Sequence, residues 1–143
     1  MTKQELFNII LKGENISLEC KKAKSGLPNS FWETYSAFAN TYGGTILLGV
    51  EENMREEVPE ERFAVTGVED ASKQRADIWN MLNNPEKVSV NLLTDTDVTL
   101  EVIDDKTILV INVPRADVSV RPVYINGNPL RGAYKRNHEG DYH

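Results

Sequence analysis

The sequence predicts an α+β domain with a mixed, largely antiparallel sheet and two to three packing helices. Three observations carry that expectation. Apolar residues recur at helical spacing in two segments, Phe31, Tyr35, Phe38 and Ala39 in one and Ile78, Trp79 and Leu82 in the other. An apolar run of β-formers, residues 45–50, follows directly on Gly43-Gly44. Three further β-rich segments, residues 88–93, 98–103 and 107–113, succeed one another as an antiparallel meander.

In chain order, Thr2 precedes apolar Leu6, Phe7, Ile9, Ile10 and Leu11, and Gly13 ends what reads as a short packing helix. Residues 16–21 alternate Ile16, Leu18 and Cys20 with Ser17, Glu19 and Lys21, the period of a half-buried strand, which sets Glu19 and Lys21 on one face. Ser30 followed by Glu33 has the spacing of a capping box, and the helix it opens runs to Gly43, whose left-handed conformation stops it. Residues 45–50 then read as a central strand covered on both faces. Residues 63–68 suit a short strand, and Asp70 an N-cap for a helix that ends before Pro85. Asp104-Asp105 marks a tight hairpin. Pro122, Gly127, Pro129 and Gly132 punctuate strand-like Val123-Tyr124-Ile125 and Ala133-Tyr134, which predicts an exposed edge in the tail. No repeat or linker divides the chain, so residues 1–143 are expected to form one domain.

Composition narrows the function. At 143 residues the chain can bury a core without staples. One cysteine, Cys20, allows neither a disulfide framework nor a cysteine-based zinc site, and no segment has the length of a membrane helix or the pattern of a signal peptide. These features point to the cytoplasm and to no membrane partner. The net charge of −6 argues against a phosphate-binding partner until its distribution is examined. Glu51, Glu52, Glu56, Glu57, Glu60 and Glu61 against Arg55 contribute −5, so one acidic loop holds nearly all of the excess. Elsewhere Lys21, Lys22 and Lys24 cluster, and Arg115, Arg121, Arg131, Lys135 and Arg136 face only Asp117 in their stretch. Such clusters make a basic surface available, although they equally suit ordinary solvated charges.

Two constellations have chemical potential. Glu14, Glu19 and Lys21, with the Glu51-Glu52 pair that ends the central strand, have the residue types with which a phosphodiesterase holds a hard divalent cation and steadies developing charge. Glutamates are also common surface residues, and the spacing is permissive rather than diagnostic. In the tail, Tyr124 and Tyr134 alternate with Arg121, Arg131, Lys135 and Arg136, a pattern that suits contact with a phosphate backbone and equally suits a charge-protected edge strand. Gly43 and Gly44 need no phosphate cradle to explain them, and no Walker A loop is present. His138 and His143 lack partners at zinc-ligand spacing, and Trp32, Trp79 and Tyr35 belong to helix faces directed at the core.

Taken together, Glu14-x4-Glu19-x-Lys21, Phe38-Ala-Asn40-Thr41 with Gly43-Gly44, Leu48-Gly49-Val50, Val113-Pro114, Arg121-Pro-Val123-Tyr124 and Tyr134-x-Arg136 resemble the Schlafen AlbA-type (AlbA_2) family of DNA-binding domains. The resemblance implies the N-terminal part of a longer transcriptional regulator. It implies a non-catalytic module gripping nucleic acid, DNA in preference to RNA, through Lys21, Lys22, Lys24, Arg121, Arg131, Lys135 and Arg136, with no cofactor. Some eukaryotic Schlafens cleave RNA with three carboxylates, which by motif fall on Glu14, Glu19 and Glu52, with Lys21 as the basic member. That alternative makes the chain a nuclease dependent on magnesium or manganese, but Glu52 stands where an aspartate is expected, and the extra methylene displaces the ligand oxygens. A third reading is a protein-interaction or homodimerisation module that uses the acidic loop and the tail edge.

Overall fold

The computed structural model describes residues 2, 4–6, 8, 18–53, 55, 56, 62–137 and 140–142, with 137 and 140–142 described through their backbone alone. The elements run β1 (Leu18–Lys21), α1 (Ser30–Asn40), β2 (Gly44–Leu48), β3 (Val50–Glu52), β4 (Phe63–Val65), α2 (Ala71–Leu82), β5 (Val98–Ile103), β6 (Lys106–Val113), β7 (Lys135–Asn137) and β8 (Gly140–Tyr142). A four-stranded sheet in the order β1-β2-β6-β5 forms the centre, with β1 parallel to β2 and the other neighbours antiparallel. The mixed, largely antiparallel α+β architecture expected from the sequence is the one observed. Parallel β1 and β2 need a crossover, and α1 supplies it. β3 with β4 and β7 with β8 form two small hairpins.

α1 carries the largest buried side chains, Phe31, Trp32, Tyr35 and Phe38, with the Phe31 and Trp32 rings edge to face at 4.8 Å. The expected capping box is absent: Asn29 occupies the cap position, and the Ser30 hydroxyl accepts a hydrogen bond from Lys21 Nζ at 3.1 Å instead. At the other end Gly43 takes φ +75° and its N–H donates to the Phe38 carbonyl at 2.7 Å. A Cβ there would sit 2.7 Å from the Val113 carbonyl oxygen, so the helix stop and the approach to β6 both require glycine. Gly49, at φ +98°, breaks the expected strand of residues 45–50 into β2 and β3. Its carbonyl accepts from the N–H groups of Thr66 and Gly67, each at 2.9 Å.

Both faces of the central strands are covered, as their apolar sequence predicts. Ile46, Leu48, Leu109, Ile111 and Val113 pack with α1 and α2, whereas Leu47, Ile108 and Val110 pack on the opposite face with Leu6, Val50 and Phe63. Gln4, Glu5, Leu6 and Asn8 are helical, while the remainder of the helix expected up to Gly13 lies outside the described residues. Asp70 caps α2 as expected, accepting from the Lys73 N–H at 3.1 Å, and Ile78 and Leu82 are buried. Asp104 and Asp105 both adopt positive φ, +50° and +65°, and turn β5 into β6.

Two further expectations fail. Residues 88–93 do not form a strand, so the meander reduces to the β5–β6 hairpin. Val88 makes a single antiparallel bridge to Ile125, and the polar groups that a ladder would have satisfied go to Tyr35, whose hydroxyl donates to the Val90 carbonyl at 2.8 Å and accepts from the Leu92 N–H at 3.0 Å. The tail is likewise no exposed edge at residues 123–125: Val123 and Ile125 are buried in the core beneath α1.

Candidate functional site

Two short polar side chains on the last turns of α1 fasten the tail. The Ser36 hydroxyl donates to the Val123 carbonyl at 2.7 Å and accepts from the Tyr134 N–H at 3.0 Å. Asn40 Nδ2 donates to the carbonyls of Val123 and Tyr134, both at 2.9 Å, and its Oδ1 accepts from the Val123 N–H at 2.7 Å. Helix interiors disfavour serine and asparagine because these side chains compete for backbone groups. Here the backbone they bond belongs to a distant segment, which explains why α1 carries them on a face otherwise closed to water.

The strapped tail creates a cleft of about 500 Å3 at the end of α1, between segments far apart in sequence. Val118, Pro122, Leu130 and Ala133 form apolar walls, with Asn40, Arg121, Tyr134 and Lys135 as the polar members. Among the described residues no carboxylate lines it. Arg121 Nε is buried with no hydrogen-bond partner among the described residues. Asp117 lies close to Arg121, but its carboxylate accepts from the Ser119 N–H at 2.9 Å, and its pKa is lowered first by hydrogen bonds to Ser119 and then by the Arg121 charge. Tyr134 lines the cleft with its hydroxyl engaged by Glu33 Oε1 at 3.1 Å.

Charge separates along the central strand. The cleft adjoins the Gly44 end of β2, because α1 finishes there and the segment carrying Arg121 departs from β6 beside it. Exposed Glu51 and Glu52 on β3 lie beyond the Leu48 end, which is four residues, or roughly 13 Å, from Gly44. Lys21 sits at that second end, in register with Leu48, and exposed Lys22 and Lys24 follow it. The cations thus form two groups at opposite ends of α1, about 15 Å apart for its 11 residues. Arg121, Lys135 and exposed Arg131 make up the group remote from the acidic hairpin.

Arg136 departs from the expected set of phosphate-facing cations. Its guanidinium is paired with Glu19 at 2.7 Å, donates to the Leu18 carbonyl at 3.1 Å and lies 5.0 Å from the centre of the Phe38 ring. Only 9% of its side chain is exposed, because β7 passes directly over α1 and β1. Glu19 and Lys21 do share a face, that of Ile46 and Leu48. Glu52 and Glu19 both act on Cys20, whose thiol pKa is pushed up to about 12 first by burial and then by these two carboxylates. Glu14, His138 and His143 lie outside the described residues, and among the described residues no group of three potential ligands could hold a metal ion. Reading the sequence alone missed the apolar walls. Leu130 within the Asn128-Pro129 turn was a legible signal, an apolar side chain beside Arg131 with no partner in sequence.

Residues 14–143, which include every candidate site residue, match the family described as Schlafen, AlbA_2. The chain belongs to the Schlafen AlbA_2 family. This Schlafen AlbA_2 chain is similar to the N-terminal domain of a protein from Nitrosomonas europaea described as related to the ATP-dependent DNA helicase RecG, solved by NMR. The TM-score is 0.69 at 27% identity, over 96% of this chain and 88% of that one. A crystal structure of a Corynebacterium diphtheriae protein matches at TM-score 0.55 and 17% identity, over 89% of this chain but only 24% of its own length, which shows a shared fold alone. No curated protein matches the sequence. Among the described residues no helix is long and apolar enough to cross a membrane.

Proposed function

We propose that this domain binds nucleic acid, with DNA as the first ligand, and that the cleft at the end of α1 is its phosphate grip. The observation that carries the reading is the convergence of Arg121 and Lys135 on one concavity that no carboxylate lines among the described residues, in a protein whose net charge is −6. An acidic chain whose Glu51 and Glu52 lie beyond the other end of the central strand presents a local positive field at the cleft where a polyanion can approach. Arg131 adds to this field, Lys21, Lys22 and Lys24 form a second and weaker contact, and Arg136 holds the strand that delivers Lys135. The likeness to a domain of a protein named for a DNA helicase supports DNA as the polymer. Service as the N-terminal module of a cytoplasmic transcriptional regulator is the setting we propose for it.

The carboxylate nuclease gains less support, because Glu19 spends its charge on Arg136. An amide-resolved NMR titration with an oligonucleotide tests the grip. Shifts should concentrate at residues 118–135 and leave β3 and β4 unmoved. Shifts centred on Glu19 and Glu52, or none at any amide, would remove the basis for it.

A further inference from the structure

Gripping phosphates requires cations and no apolar surface, yet the cleft walls are apolar. Val118 is 73% exposed and Leu130 90% exposed, and both line the cleft with Pro122, Ala133 and Tyr134. A single exposed leucine is ordinary. Two of the most exposed apolar side chains of the described residues flanking one cleft, beside two cations, call for a ligand that is apolar on its faces and anionic at its edge.

From this juxtaposition we infer that the cleft seats one unstacked nucleobase with its phosphate on Arg121 and Lys135, so that single-stranded nucleic acid is the preferred ligand class. This inference rests on the phosphate-grip reading and deepens it. The volume, about 500 Å3, falls within the roughly 300–1,000 Å3 of pockets that enclose small molecules. A duplex offers phosphates, sugars and the edges of stacked bases, and conceals the faces. Only a single strand or an extruded nucleotide presents a flat apolar face to such walls.

The polar groups in the cleft also set the selectivity. Asn40 has its amide committed to Val123 and Tyr134, and the Tyr134 hydroxyl is committed to Glu33. Neither is available to read a base edge, so the seat accepts any base, by face contact in place of hydrogen-bond readout.

Fluorescence anisotropy with three labelled probes of about 12 nucleotides decides this, within the span of roughly 4–16 nucleotides that single-strand sites cover. The probes are a mixed-sequence single strand, its duplex, and a single strand of the same length made of abasic sites. We expect the normal single strand to bind about tenfold more tightly than either other probe, the loss that one stacking contact represents. Leu130→Ser, at an exposed position that folding does not depend on, should remove most of that advantage and leave abasic binding unchanged. Equal binding of abasic and normal strands, or tighter binding of duplex, would overturn the base seat while salt-sensitive binding of all three probes preserved the phosphate grip. Absence of salt-sensitive binding to any probe would overturn both.

Discussion

Replacing Asn40 by alanine tests whether one side chain holds the cleft together. The substitution removes the acceptor for the Val123 N–H at 2.7 Å and the donor to the Tyr134 carbonyl at 2.9 Å. The Val123 carbonyl keeps its bond from Ser36, so two backbone groups lose their partner rather than three. Val123 is fully buried, and a buried group stripped of its partner costs about 1–3 kcal/mol. Tyr134 is half-buried, which lets water recover part of the second loss, so the sum is roughly 2–4 kcal/mol against a typical total stability of about 5–15 kcal/mol. Urea denaturation measures the loss, and native-state hydrogen exchange should show the Val123 and Tyr134 amides opening far below the global free energy. Oligonucleotide affinity should fall with it, because the loosened tail carries Arg121 and Lys135. Asn112→Ala serves as the control: its side chain accepts a hydrogen bond from Thr45 Oγ1 at an exposed position, and the cost should stay within about 0.5 kcal/mol. If Asn40→Ala matched this control and both amides stayed protected, the strapping role would be wrong.

Tyr35→Phe should cost about 1–3 kcal/mol by urea denaturation, since it deprives the Val90 carbonyl and the Leu92 N–H of their shared partner; an unchanged midpoint would mean that residues 88–93 are held by packing alone. The Cys20 thiol, at about 12 against an ordinary 9.0, should react with a disulfide reagent near pH 8 roughly a thousandfold more slowly in the folded than in the unfolded protein, and equal rates would contradict its burial. Because the folded pKa exceeds the unfolded one, the Cys20 contribution to stability is intact below about pH 9 and is lost towards pH 12, at up to about 1.4 kcal/mol per unit; Cys20→Ala should flatten that alkaline decline. Glu19→Gln leaves a largely buried guanidinium short of its counter-charge and should destabilise by about 1–3 kcal/mol, without changing any cleavage of RNA or DNA in magnesium or manganese. Wild-type cleavage that this substitution abolished would instead make Glu19 a catalytic ligand.

Much of the fold was legible because local chemistry and burial agreed. Gly43 stops α1 where its spacing predicts, Asp70 caps α2, and Asp104-Asp105 turn β5 into β6. Errors arose where a distant residue claimed a local group. Lys21 took the hydroxyl that would have closed the capping box at Ser30, and Tyr35 took the backbone groups that would have made residues 88–93 a strand. The site followed the same division. Arg121, Lys135 and Tyr134 stood out by their interleaving, but Arg136, in the same stretch, pairs with a glutamate 117 positions earlier, a contact that no local pattern encodes. Asn40 read as part of a helix end and a family motif, and its physical task appeared only when the tail was seen across it.

The central claim is that Arg121 and Lys135 each meet a phosphate. Affinity for a single-stranded oligonucleotide, followed against salt for the wild type and for the Arg121→Gln, Lys135→Gln double variant, tests it most directly. The slope of log affinity on log salt should be shallower in the variant by about 1.4, at roughly 0.7 per phosphate released from a single strand. Parallel lines, with the variant merely weaker or unchanged, would show that neither cation touches the backbone.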